Sequence, residues 1–179
     1  YRLPRGGRNA KGRPIVNLLP LEKDERIQAV LPVKEFNDDQ FIFMATETGS
    51  VKKTKLSAYS RPMKSGIKAI KLRDGDRVVN AEITDGTKEI MLFSNSGKSI
   101  RFKESDARPM GRVSQGVRGM RIDKDQKIIS LVVLEEGNIL VATENGYGKQ
   151  TLKDEFSIQK RGGKGVIAIQ TSDRNGNLI

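Results

Sequence analysis

Gln159, Lys160, Arg161, Gly162, Gly163, Lys164 and Gly165 bring three cations and three glycines together in seven residues, with no acid and no bulky apolar side chain. These residue types suit a strongly negative ligand. A backbone without Cβ can approach a phosphate closely and aim its N–H groups at it. Arg adds a planar fork for two oxygens, and Lys adds a mobile point charge. Three further stretches share the composition: residues 3–14, 59–66 and 107–116, all rich in Gly, Pro or Ser and free of acid. They contribute Arg5, Arg8, Lys11 and Arg13, then Arg61 and Lys64, then Arg108 and Arg112 as candidate phosphate contacts. Cations on neighbouring apolar hairpins, Lys52, Lys53, Lys98, Arg101 and Lys149, complete the candidate set.

The whole composition leans the same way. Lys and Arg number 33 against 22 acids, a formal charge of +11 over 179 residues, which favours a polyanionic partner. Hydrophobic residues at 36% are enough for a folded core. There is no Cys or His, so disulfides, thiolate chemistry, zinc sites and His-based acid–base catalysis lose their usual residues. The lack of Cys fits a reducing cytosol. No apolar run reaches the ~18 residues of a membrane span, and no membrane partner is expected. Residues 1–14 do not read as a signal peptide, and without an initiator Met the chain is expected to be an excised fragment.

The elements that must position these cations repeat. Residues 41–54, 90–102 and 139–151 each read as an apolar strand, a polar turn with Gly and a second strand carrying a cation. Their turn glycines are Gly49, Gly97 and Gly146, at steps of 48 and 49 residues. A second element begins near Ser65, Gln115 and Lys164 and reads as strand, acidic turn, strand; a looser copy begins at Gly12. Two hairpins per period of about 50 residues make a four-stranded unit the size of a propeller blade. The expected fold is all-β, a single domain over 1–179 with repeats of approximately 1–58, 59–106, 107–156 and a partial 157–179. Short helical turns are expected within 102–108 and 152–159. The basic loops fall at one phase of the repeat. On a ring of blades they would form a belt along one edge, holding a duplex through its backbone with weak sequence preference and strong salt dependence. Aromatic residues, at 5%, are too few for recognition by base stacking.

Other motifs read more simply. Gly97-Lys98-Ser99 resembles the end of a P-loop, but position 92 is Leu92 rather than Gly and a strand follows, so it reads as a hairpin turn. Residues 173–177 resemble the opening of a calcium loop without its later glutamate; Asn175-Gly176 reads as a turn. Asp74-Gly75-Asp76 and Asp123-Lys124-Asp125 read as solvent-facing turns. Tyr1, Tyr59 and Tyr147 read as packing or hairpin residues rather than nucleophiles, and Phe43, Met44, Met91 and Phe93 as core. No catalytic or metal-binding set emerges.

The seven-residue stretch resembles the signature box of the C-terminal domain of the bacterial DNA gyrase A protein, whose family pattern is Gln, two basic residues, Gly, Gly, Lys, Gly. "GRPIVNLLPLEKDERI", "FMATETGSVKKT", "IKLRDGDRVV", "MLFSNSGKSIRFKES" and "NGYGKQT" resemble that domain along the rest of the chain. The resemblance implies about three to four blades of a six-bladed β-pinwheel, a propeller-like disc whose neighbouring blades exchange strands. It also implies a rim that bends and wraps duplex DNA, supporting ATP-dependent negative supercoiling. The fragment itself would be non-catalytic and cofactor-free, with ATP and Mg used elsewhere in the holoenzyme. Its partners would be duplex DNA, the remainder of gyrase A and the gyrase B protein, on the chromosome in the bacterial cytoplasm. In the family the defining box lies in the first blade. Here the box lies near the C-terminus, so the first blade is expected to be missing and Gln159 to Gly165 to be a later copy. Open blade edges are then expected to be shielded by terminal segments or to mediate self-association. The related subunit of topoisomerase IV is the alternative. A protein-interaction propeller is a further one, against which the absence of Trp and His counts.

Overall fold

The apolar runs are too continuous for strands with one wet face, and the packing shows why. The protein is described here by a computed structural model covering residues 4–23 and 25–179. Strands β1 (Phe41–Thr46) and β2 (Ser50–Lys55) form an antiparallel hairpin. Successive residues of β1 enter different cores. Ile42 and Met44 join Leu56, whereas Phe43 and Ala45 join Ile90, Leu92, Ile100 and Phe102. The next hairpin, after β3 (Val78–Thr84), is β4 (Glu89–Ser94) with β5 (Lys98–Lys103). It repeats the arrangement: Ile90 and Leu92 face back toward β1, and Met91 and Phe93 face forward to Val141, Phe156 and Leu178. The sheets are therefore stacked face to face, and a strand between two such cores needs apolar residues at every position. Phe43, Met44, Met91 and Phe93 are core residues, as expected.

Each full sheet has four strands. The first runs β3-β1-β2-β6, where β6 is Val117–Arg118. The second runs β7-β4-β5-β10, with β7 at Ile128–Leu134 and β10 at Val166–Ile167. β8 (Asn138–Ala142) and β9 (Gly148–Leu152) form a third hairpin. The register recurs, Phe41 opposite Lys55, Glu89 opposite Lys103 and Asn138 opposite Leu152. β3 and β7 pack against each other at the inner side, which leaves β6 and β10 on the outer edges.

The second sequence element is not a hairpin. β6 pairs with β2 of the first hairpin, while β7, beyond the acidic turn, pairs with β4 of the second. β10 likewise pairs with β5, and Leu178 then bridges Thr143 of the third hairpin. Consecutive units thus exchange a strand. The exchange is locked at the hairpin turns, where Gly119 N and Met120 N donate to Gly49 O, and Ala168 N and Ile169 N donate to Gly97 O. The approach requires glycine: a Cβ on Gly97, at φ +75°, would stand 2.1 Å from Ile169 O. Residues 12–33 also depart from expectation. Their one regular element is a 3-10 turn at Ile15–Asn17, and no strand of the copy expected from Gly12 pairs among the described residues.

The expected helical turns are 3-10 turns at Glu104–Asp106 and Lys153–Glu155, each directly after the second strand of a hairpin. Asp76 corrects another expectation. It is buried, not solvated, and accepts from Thr48 N at 3.0 Å, Thr48 Oγ1 at 2.6 Å and Arg77 N at 2.9 Å, fixing the β1–β2 turn. Lys98 lies in the hairpin β4–β5, and Asn175-Gly176 lies in a turn closed by Gly176 N donating to Ser172 O. Tyr59 packs against Ile42 and Met44, Tyr147 stacks under Arg174, and Tyr1 lies outside the described residues. Among the described residues no helix is long and apolar enough to cross a membrane.

Candidate functional site

Two of the basic loops are built to one plan. Pro109 bridges Lys53 in parallel register, Met110 N donates to Lys53 O at 2.8 Å, and the chain rejoins the same strand where Val117 pairs with Val51. In the next sheet Ile158 bridges Arg101, Gln159 N donates to Arg101 O at 2.7 Å, and Val166 pairs with Ser99. Each loop leaves and returns within two residues of one strand, β2 or β5, beside the outer edge. Its seven residues have no room along the strand and must bulge outward. Residues 110–116 and 159–165 are therefore equivalent protrusions on the outer edges of successive sheets.

Within these protrusions the arginines share a task. Arg112 Nη1 donates to Lys68 O at 3.1 Å, and Arg161 Nη1 donates to Arg118 O at 3.0 Å. Arg161 Nε also donates to Asp106 O at 2.7 Å. Two of the three guanidinium nitrogens of Arg161 are thus spent on main-chain carbonyls, holding the loop against the preceding unit. Gly162 N donates to Gly119 O at 2.6 Å and Arg121 N to Gly163 O at 2.8 Å, which tightens the same seam. Gly165, at φ +73°, lies so close to β5 that a Cβ would stand 2.2 Å from Ser99 O. The lysines behave differently. Lys160 is 92% exposed and reaches Asp106 at 3.4 Å, a surface pair worth about 0–1 kcal/mol that an incoming phosphate can displace. Lys164 is exposed beside it, and Gln159 is half-buried at the loop's root.

Three predicted contact residues are not on this surface. Lys52 is fully buried; its ammonium donates to Thr54 Oγ1 and to Ala69 O, the latter at 2.9 Å. Burial pushes it down to about 8, with like-charge repulsion from Arg112 adding to the effect. Lys53 is buried against Glu104 at 3.7 Å and under the Phe41 ring. Arg101 is clamped by Glu89, at 2.7 Å from Nε and 2.6 Å from Nη2, and donates to Lys153 O at 2.6 Å and Phe156 O at 3.0 Å. A cation on the second strand looked like a ligand for an external anion. Because further chain packs over that strand, Lys53 and Arg101 instead hold the 3-10 turns that follow the next hairpins, at Glu104 and Lys153, and all three residues leave the candidate surface. Lys149 occupies the register position of Lys52 and Ile100, yet it is exposed.

The remaining candidates are dispersed. Arg61, Lys64 and Arg108 are exposed and Lys98 is half-exposed. Arg5, Arg8, Lys11 and Arg13 lie on an exposed arm folded locally by Ala10 N donating to Gly7 O. The structure does not bring that arm together with the two protrusions. It does reveal cations that the sequence reading passed over: Arg73, Arg118 and Arg121 line one cleft with Thr48 and Ser50 beside the β1–β2 turn. Arg118 and Arg121 fall in the element beginning near Gln115, which reads from the sequence only as strand and turn.

Comparison with known proteins agrees with this architecture. The family model described as "DNA gyrase C-terminal domain, beta-propeller" matches residues 1–34, 40–85, 88–135 and 137–179. The chain is 50% identical over 180 residues to the DNA gyrase A protein of Salmonella typhimurium, covering 100% of this chain and 20% of that protein. It thus spans about a fifth of the length of the relatives it matches. Among solved structures, the C-terminal domain of a DNA topoisomerase IV superimposes with a TM-score of 0.87 at 30% identity, covering 94% of this chain and 53% of the other. A DNA gyrase A C-terminal domain superimposes with a TM-score of 0.83 at 27% identity, covering 95% of this chain and 57% of the other.

Proposed function

The chain belongs to the DNA gyrase C-terminal domain family, and on that premise we propose that it is the duplex-wrapping module of a gyrase A protein. The observation that carries the reading is the pair of equivalent loops protruding from successive outer edges, one of which presents Lys160 and Lys164 on a glycine-rich backbone. A duplex laid along these edges meets Lys160 and Lys164 on the second loop and is bent as it passes from one sheet to the next. Smooth bending costs a few kcal/mol, offset by several charge-assisted phosphate contacts. Backbone contact of this kind holds DNA without reading its sequence. In the parent enzyme the bent segment would favour strand passage in one direction and so negative supercoiling. ATP and Mg chemistry would lie elsewhere in the holoenzyme, in complex with the gyrase B protein on the bacterial chromosome.

The test is duplex affinity across a salt series, for this chain and for Lys160→Ala/Arg161→Ala/Lys164→Ala. The unmodified chain should bind steeply less as salt rises. The variant should lose affinity on every sequence tried, with the slope of log K against log salt reduced by roughly one per lost phosphate contact. A flat salt response in the unmodified chain, or a loss confined to one sequence, would overturn the reading.

A further inference from the structure

We infer that the cleft of Arg73, Arg118 and Arg121 is a second phosphate site, taking the duplex backbone as it passes from the box loop toward the β1–β2 turn; this rests on the wrapping reading. Arg73, Arg118 and Arg121 line it together with the hydroxyl-bearing Thr48 and Ser50. Among the described residues no carboxylate forms an ion pair with any of the three. Asp76, the buried acid of this corner, accepts from Thr48 and the backbone of Arg77 and does not line the cleft. A concave surface lined by one sign of charge focuses its field outward and favours a polyanion.

The fold does not require arginine at this place. Arg118 stands opposite Ser50 in the first sheet; the same register position in the second is Ile167, opposite Lys98. The strand therefore tolerates an apolar side chain there. The segment that carries two of the arginines is also bonded to the box loop. Arg161 Nη1, Gly162 N and Gly163 O bond the main chain of Arg118, Gly119 and Arg121 respectively, so the loop that carries Lys160 and Lys164 clamps the segment that carries two of the cleft's arginines. The ligand class is a phosphodiester backbone, bound by forks that match phosphate oxygens.

The experiment measures duplex affinity of this chain over a salt series for Arg118→Ala/Arg121→Ala, beside the box triple variant. A control, Lys55→Ala/Lys103→Ala, removes two exposed charges at the opposite ends of the hairpins. The arginine variant should lower the slope of log K against log salt by about one to two, with little change in the control. Arg118→Gln/Arg121→Gln, which keeps the aliphatic stems, should do the same and serves if the alanine variant does not fold. An unchanged slope in the arginine variants with a reduced slope in the box variant would overturn this site and leave the wrapping reading standing. An equal drop in the control would also overturn it, since net charge alone would explain the loss. If neither box nor arginine variants moved the slope, the wrapping reading would fall, and this site with it.

Discussion

Residues 110–116 and 159–165 are the same loop built twice, as MGRVSQG and as QKRGGKG. Both are pinned at two points to a strand beside the outer edge, both spend an arginine on a carbonyl of the preceding unit, and both close on a glycine over a strand carbonyl. They differ in what is left over. The first presents a valine and uncharged polar groups. The second presents two lysines on a backbone stripped of side chains at Gly162 and Gly163. The shared third and seventh residues therefore belong to the frame, and the others to the surface. A motif read as one chemical unit separates into a fastening half and a contacting half.

The largest effect should come from the shared frame. Gly165→Ala and Gly116→Ala each place a Cβ within 2.2 Å and 2.5 Å of a strand carbonyl, at φ +73° and +86°. Both should lose roughly 3 kcal/mol or more, from left-handed strain plus the clash. Thermal or denaturant unfolding would check this; loss at Gly165 alone would show that the two loops are not built alike.

A smaller effect distinguishes the sheets beneath them. Lys52 sits under the first loop, where the second sheet has Ile100. Burial lowers its folded value to about 8, against an ordinary value of about 10.4 unfolded. The unfolded chain then holds the extra proton between these values, so stability should rise as pH climbs from about 8 to 10.4. The gain should be on the order of 2 kcal/mol, and Lys52→Met should abolish it in unfolding curves taken across that range. A pH dependence unchanged by Lys52→Met would assign it to other groups.

The smallest effect should come from transferring the contacting half. Gly111→Lys/Gln115→Lys places lysines where the second loop has Lys160 and Lys164. Duplex affinity at low salt should rise several-fold, with the salt slope steeper by about one to two. No gain would mean that the first loop does not lie on the path of the duplex.

Much of the frame was legible in the residues. The recurrence of Gly49, Gly97 and Gly146 marked the hairpins, because a glycine in a tight turn is dictated by local sterics. The continuous runs FIFMA and IMLF marked apolar strands, though not the second core that each of them faces. The basic loops were visible from composition, and their common phase was enough to place two of them at equivalent edges. The cations on the second strands were misread for the opposite reason. Lys52, Lys53 and Arg101 look like any exposed lysine or arginine until the next unit is laid over them, and burial is a property of neighbours about fifty residues away.

Local residue types set the all-β repeat, the excess of positive charge and the glycine-rich box, since turns, strand periodicity and charge depend on little else. Which strand joins which sheet depends instead on long-range packing. Val117–Arg118 and Val166–Ile167 leave their own units because the hairpin-turn carbonyls of Gly49 and Gly97 capture the chain just beyond them. The same long-range packing turned Arg161 into a fastening, buried Lys52 and Arg101, and gathered Arg73, Arg118 and Arg121 into one cleft.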